Sequence, residues 1–309
     1  MLRHFLSQND VSCSEITHLL DLANALRKEP RSDQLKGRTM VMFFEKTSTR
    51  TRLSFEIGMA QLGGHAVYLD RDSSQLSRGE SIRDTALVVS RYADIMMARV
   101  NADATVRELA AHATIPVING LSDLEHPMQT MGDLLTIRDH KGELKGLRVA
   151  YVGDGNNNVT HSLLLACSLV GANISVASPA ELQPDQRYVE LARVNAAATG
   201  SEVTITRAPI EAVEQADVIY TDVWISMGRE SERDQRLRLL RPYQVNGALA
   251  RHAKPDYIFM HCLPQHIDDE VTENVAYGPN SVIFDQAENR LHIQKAMILF
   301  LLERGGSNG

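Results

Sequence analysis

The sequence predicts an α/β protein made of two doubly wound parallel-sheet domains. Three observations carry this prediction. Short continuous apolar runs, of the kind that fill strands covered on both faces, alternate with segments of helical periodicity. The chain has 309 residues, twice the usual domain length of about 150. The alternation breaks at Lys141-Gly142-Glu143-Leu144-Lys145-Gly146 and then starts afresh.

In chain order, an amphipathic helix is expected from Cys13 to Arg27. Strands follow near Met40–Phe44, Ala66–Leu69, Ile95–Ala98 and Pro116–Asn119, with helices between them and another from Met128 to His140. The second series opens at Leu147-Arg148-Val149-Ala150-Tyr151-Val152 and continues near Ile174–Ala177, Val203–Thr206, Val218–Thr221, Ile258–His261 and Val282–Phe284. A final helix, Ala287 to Glu303, carries Ala296, Ile298, Leu299, Phe300, Leu301 and Leu302, so it should be packed. The domains predicted are thus residues 1–140, 147–286 and the returning helix 287–304, and the tail from Arg304 should be disordered.

Hydrophobic residues make up 43% and charged residues 23%, values of a globular protein. The net charge of −7 argues against a general nucleic-acid surface, so any anion site must be local. The three cysteines, Cys13, Cys167 and Cys262, are odd in number and far apart, without a C-x-x-C pair or histidine cluster to suggest zinc. A reduced, cytoplasmic setting fits them. No apolar stretch approaches the roughly 20 residues that span a bilayer, so no membrane partner is expected.

One segment stands out chemically. After the apolar run Thr39-Met40-Val41-Met42-Phe43-Phe44 comes Glu45-Lys46-Thr47-Ser48-Thr49-Arg50-Thr51-Arg52, which opens a helix capped by Ser48 or Thr49 and patterned by Leu53, Ile57, Ala60 and Met59. Unpaired backbone N–H groups, a helix dipole, hydroxyls and Arg50 at a strand end together suit a dianion such as phosphate.

Other segments are ambiguous by residue type alone. Gly153-Asp154-Gly155-Asn156-Asn157-Asn158 invites a dinucleotide reading, but the third glycine is missing and the next strand ends without an acidic residue. Its asparagines either build the turn or recognise an amino-acid head group. His126-Pro127-Met128-Gln129 starts a helix with two polar side chains one turn apart, and Arg99 lies just past a strand end. Asp222-Val223-Trp224-Ile225-Ser226-Met227-Gly228 follows a strand, as does His261-Cys262-Leu263-Pro264, whose cysteine reads by default as a buried hydrophobe. Arg290 reads by default as a surface residue.

Taken together, these segments resemble the carbamoyltransferase family over nearly the whole chain. Ser48-Thr49-Arg50-Thr51 and His126-Pro127-Met128-Gln129 look like its shared carbamoyl-phosphate motifs. Asp222 through Ser226-Met227-Gly228, His261-Cys262-Leu263-Pro264 and Phe284-Asp285-Gln286-Ala287-Glu288-Asn289-Arg290 are similar to the ornithine branch, whereas the aspartate branch reads His-Pro-Leu-Pro at the second of these. The resemblance implies that Ser48, Thr49, Arg50, Thr51, Arg99, His126 and Gln129 hold carbamoyl phosphate, with Cys262, Leu263 and Arg290 completing the site. Gln75, in the Ser73–Glu80 loop, would reach a neighbouring subunit's site.

For the acceptor, the resemblance points to Asn158, with Asn157 as the alternative, and to Asp222, Ser226 and Met227. The catalytic set it implies is Arg50, His126, Asp222 and Cys262, with no metal and no cofactor. Expected partners are the two small substrates and, in a homotrimer with shared sites, further copies of the chain. The implied reaction is carbamoyl transfer to the δ-amine of L-ornithine, giving L-citrulline and phosphate; aspartate, putrescine and N-acetylornithine are the competing acceptors.

Overall fold

The computed structural model of the chain describes residues 2–225 and 232–305. The chain forms two compact units, Met1–Gly132 with Glu288–Gly309, and Asp133–Ala287. In the first unit a parallel sheet contains β1 (Thr39–Phe44), β2 (His65–Asp70), β3 (Ile95–Arg99) and β4 (Val117–Leu121), in the order β2-β1-β3-β4. Helices α1 (Cys13–Lys28), α2 (Thr49–Gln61), α3 (Ile82–Tyr92) and α4 (Asp103–His112) accompany them.

Strands β1 and β3 are central and almost wholly buried, which is why their sequences are unbroken apolar runs rather than alternating ones. Val41, Phe43, Met96 and Ala98 pack with Ala86, Val89, Val106 and Leu109 in one core. The chain leaves β1 toward β2 and then crosses to β3 on the other side. The carboxyl ends of β1 and β3 therefore flank a topological switch point, where open α/β sheets bind ligands.

The second unit repeats this logic with five parallel strands: β5 (Arg148–Val152), β6 (Asn173–Ala177), β7 (Val203–Thr206), β8 (Val218–Thr221) and β9 (Ile258–His261), ordered β7-β6-β5-β8-β9. Its switch point lies between β5 and β8. Helix α5 (Pro127–Lys141) precedes this series, and α6 (Asn158–Val170), α7 (Gln186–Thr199), α8 (Pro209–Val213), α9 (Arg233–Leu240), α10 (Gly247–Ala250) and α11 (Glu273–Ala276) lie within it. The last helix, α12 (Ile283–Gly305), starts in the second unit and belongs to the first from Glu288 onward. Its buried residues include Ile293, Ala296, Met297 and Leu301.

Two expectations are corrected, and the buried face of α2 is settled. Val282–Phe284 is not a strand: Val282 N–H bonds the Phe259 carbonyl at 3.0 Å, and the chain then turns directly into α12, whose Gln286 N–H bonds Val282 at 2.9 Å. An apolar triplet is too short for periodicity to separate a strand from a helix start. Arg99 is the last residue of β3, not a residue beyond it. On α2, the Leu53-Ile57-Ala60 stripe faces outward, with Leu53 49% and Ile57 43% exposed; the buried positions are Thr51, Phe55, Gly58 and Met59. A Cβ on Gly58 would lie 3.3 Å from Lys295 Cγ, so α12 packs on that face. The tail beyond Gly305 lies outside the described residues.

Candidate active site

In the first unit the constellation is built from the ends of β1 and β3 and the starts of three helices. Ser48 is the N-cap of α2, its hydroxyl accepting the Thr51 N–H at 3.3 Å. This cap begins the helix immediately after β1 and places Thr51, fully buried, in its first turn. Thr51 Oγ1 accepts from Arg290 Nη2 at 2.8 Å and from Arg99 Nη1 at 3.4 Å. One hydroxyl thus gathers two buried guanidinium groups from β3 and α12.

Arg99 sits where the β3–β4 register shifts, an irregularity that re-aims a strand-end side chain. Arg290 reaches inward because Gly132 leaves room: a Cβ there would lie 3.2 Å from Arg290 Cγ. His126 and Gln129, at the start of α5, are both buried. Burial, followed by the charges of Arg290, Arg99 and Arg50, holds the His126 imidazole well below its usual pKa. It is therefore neutral at pH 7 and offers one N–H as a donor. Ser48 and Arg50 are half-buried and Thr49 exposed. Gln75 opens the short helix Gln75–Arg78 and is exposed.

The second unit presents a different chemistry. Cys262, just beyond β9, donates its Sγ–H to Asp222 Oδ1, just beyond β8, at 3.0 Å. Asp222 is buried and Cys262 half-buried. Leu263 N–H bonds His261 Nδ1 at 2.9 Å, and Leu263 adopts φ +59. Asp222, His261 and Cys262 offer ligand atoms within 4.8 Å of one another. A search for paired cysteines misses this grouping because two separate strand ends assemble it.

Beyond β5, Asn157 caps α6. Its Oδ1 accepts the Thr160 N–H at 2.8 Å, and its amide donates to Tyr151 Oη at 2.8 Å and the Asp154 carbonyl at 2.7 Å. Asn158, the first residue of α6, is half-buried. Gly153, at φ +139, carries the chain past Thr221 and Trp224, where a Cβ would lie 3.2 Å from Thr221 Oγ1. The glycines of this turn serve close packing. Ser226 and Met227 lie outside the described residues.

Sequence reasoning passed over a buried network behind the acid–thiol pair. Asp133 accepts from Tyr220 at 3.1 Å and from Gln286 Nε2 at 2.8 Å, and Gln286 Oε1 accepts the His261 N–H at 2.9 Å. Burial, then the Asp133 charge, keeps the Tyr220 phenol protonated, far above its usual pKa. The network ties the ends of β8 and β9 together. Its only sequence signal was polar residues within apolar helices.

The fold and these groups define a two-unit α/β protein with a cationic constellation in one unit and an acid–thiol constellation in the other. Residues 3–139 match the family described as "Aspartate/ornithine carbamoyltransferase, carbamoyl-P binding domain", and residues 145–301 match its "Asp/Orn binding domain". The chain belongs to the aspartate/ornithine carbamoyltransferase family. It is similar to an ornithine carbamoyltransferase of Carboxydothermus hydrogenoformans, at 52% identity over 97% of each chain. A Bacillus subtilis protein of the same name is 51% identical over 99% of this chain and 96% of its own. The solved structure of the ornithine carbamoyltransferase from Pyrococcus furiosus matches with a TM-score of 0.92 at 51% identity, covering 96% of each chain.

Proposed function

We propose that this chain transfers the carbamoyl group of carbamoyl phosphate to the δ-amine of L-ornithine, giving L-citrulline and phosphate by direct attack. The observation that carries this reading is the Thr51 hydroxyl with Arg99 and Arg290 bonded to it, beside a neutral buried His126. Two fixed guanidinium groups and the α2 N-terminus bind the donor's phosphate and stabilise it as it leaves. Ser48, Thr49, Arg50, Gln75 and Gln129 complete the donor's ligands. His126, Thr51 and Arg50 donate to the carbonyl oxygen as negative charge grows there.

An amine with a pKa near the lysine value of about 10.4 is unprotonated in only about one molecule in 10³ at pH 7, a penalty of roughly 4 to 5 kcal/mol. Asp222 and Cys262 position that amine and assist its deprotonation. The amine nitrogen then attacks the carbonyl carbon, the C–O bond to phosphate breaks, and the departing phosphate takes up the proton that the nitrogen loses. The donor is already activated, so no covalent enzyme intermediate is needed. Leu263 lies beside the reacting groups, and Ser226 and Met227 serve the acceptor head group. Asn158 binds the acceptor rather than Asn157, whose amide is committed to Tyr151, Asp154 and Thr160.

The working form is a cytoplasmic homotrimer whose Gln75 reaches a neighbour's site. Supporting this are the exposed Gln75 and the exposed apolar residues Leu53, Ile57, Val67, Leu87 and Val88, all in the first unit. Among the described residues no helix is long and apolar enough to cross a membrane. The test is an acceptor panel of ornithine, aspartate, putrescine and N-acetylornithine with carbamoyl phosphate. Ornithine should be carbamoylated far faster than the others; a faster rival acceptor overturns the reading.

A further inference from the structure

We propose that Gln286 and Asp133 are positioning residues for the acid–thiol pair: together with Tyr220 they fix the strand ends that carry Asp222 and Cys262. This rests on the reading above that the pair serves the amine of ornithine. All of these residues belong to the second unit.

The sheet itself creates the need for such a hold. β8 and β9 run in register, with Tyr220 opposite Met260 and Thr221 opposite His261. One step further the same register sets Asp222 against Cys262, whose Sγ lies 3.0 Å from Asp222 Oδ1. β9 is the last strand in the sheet order, so on its outer side the rungs come from elsewhere. Phe259 N–H bonds the Asn280 carbonyl at 2.8 Å. The next outward N–H, that of His261, bonds Gln286 Oε1 at 2.9 Å. A side-chain amide thus supplies the last rung of the ladder, one residue before the thiol.

A primary amide can turn over and present its NH2 group instead of its oxygen. Asp133 sets which way it lies, because an ionised carboxylate only accepts. Its Oδ1 takes Gln286 Nε2 at 2.8 Å, and its Oδ2 takes the Tyr220 hydroxyl at 3.1 Å. Gln286 Nε2 also reaches Tyr220 Oη, at 3.0 Å. Tyr220 stands two residues before Asp222, so one carboxylate orients the amide that ends β9 and anchors the end of β8. Asp133, Tyr220 and His261 are fully buried and Gln286 is 1% exposed. A lost bond here leaves an unpaired group rather than a hydrated one. Gln286 and Asp133 act through the strand ends they hold. A role limited to stability would lower the melting temperature and leave the kinetics of the folded protein as they were.

The experiment compares Gln286→Leu, Gln286→Glu, Asp133→Asn and the double variant Gln286→Glu/Asp133→Asn with wild type. Gln286→Glu alone sets two carboxylates against each other, and Asp133→Asn alone leaves one donor without its acceptor. In the double variant the new carboxylate accepts both the His261 N–H and the new amide, so the bonds return with the charge moved along the network. One readout is kcat/KM for ornithine with carbamoyl phosphate saturating. The other is the rate at which iodoacetamide alkylates Cys262, in a Cys13→Ser background that removes the exposed thiol. Cys167 stays silent, being buried with its thiol pushed up to about 12. A thiol that donates to a carboxylate forms thiolate reluctantly, so loosening the pair speeds alkylation.

The single variants should lower kcat/KM about tenfold or more, within the roughly 10²-fold that a displacement of about 1 Å can cost. They should speed alkylation at least about threefold. The double variant should bring both readouts back to within about threefold of wild type. Unchanged kcat/KM and alkylation in folded Gln286→Leu, or a double variant no better than its parents, overturns the positioning role. If Gln286→Leu fails to fold, Asp133→Asn and the double variant decide. Wild type that makes no citrulline would instead overturn the ornithine reading, and alkylation, which needs no substrate, would still judge the positioning.

Discussion

The two constellations occupy equivalent places in similar sheets yet are built from opposite charge. The first lies at a topological switch point, beyond β1 and β3, and the second lies beyond β8 and β9, next to the switch between β5 and β8. The first gathers arginines around a buried hydroxyl; the second pairs a carboxylate with a thiol. The sheet decides where a ligand sits, and the residues at the strand ends decide its charge. By charge alone, a cluster of arginines suits a dianion and a carboxylate suits an amine.

The largest expected effect tests the cationic side. Arg290→Met should lower kcat/KM for carbamoyl phosphate about 10²- to 10³-fold, the usual loss of one preorganised donor. Steady-state kinetics checks it, and a loss below about fivefold would remove Arg290 from the phosphate's ligands.

Next comes a pH effect confined to the cationic unit. Burial raises the Glu125 carboxyl to about 7 from an ordinary 4.5. A carboxyl whose folded pKa is raised contributes stability that is complete below pH 4.5 and lost as pH rises toward 7. Glu125→Gln should therefore flatten the stability profile over that window, by about 3 kcal/mol. Urea denaturation from pH 4.5 to 8 reads it, and an unchanged slope would count against the buried carboxyl.

On the acid–thiol side, Asp222→Asn should raise the ornithine KM roughly 10- to 100-fold, the value of one hydrogen bond to a charged group. The smallest effect sharpens the comparison. Gly132→Ala places a methyl 3.2 Å from Arg290 Cγ. It should raise the carbamoyl phosphate KM less than about tenfold while a melting curve shows no loss, because alanine favours the helix by about 1 kcal/mol. A fallen melting temperature would mean that the packing, not Arg290, had been disturbed.

The cationic constellation was the more legible of the two in the sequence. Ser48 through Thr51 is contiguous, follows an apolar strand and opens a helix, so local chemistry alone suggested phosphate. Arg290 could not be placed by local rules, since its inward course depends on Gly132, far away in the chain. In the second unit Asp222 and Cys262 meet only because β8 and β9 are neighbours, a pairing that no spacing encodes. Most strands were read within a residue or two because they are buried on both faces. The α2 pattern showed a helix without showing its buried face, because periodicity finds an apolar face without saying which face is covered.

The division of labour is tested most directly by crossing substrates with variants. KM for carbamoyl phosphate and for ornithine should each be measured in Arg290→Met and in Asp222→Asn, with the second substrate saturating. The expected result is diagonal: Arg290→Met raises the KM for carbamoyl phosphate alone, and Asp222→Asn that for ornithine alone. Equal rises in both columns for either variant would contradict it.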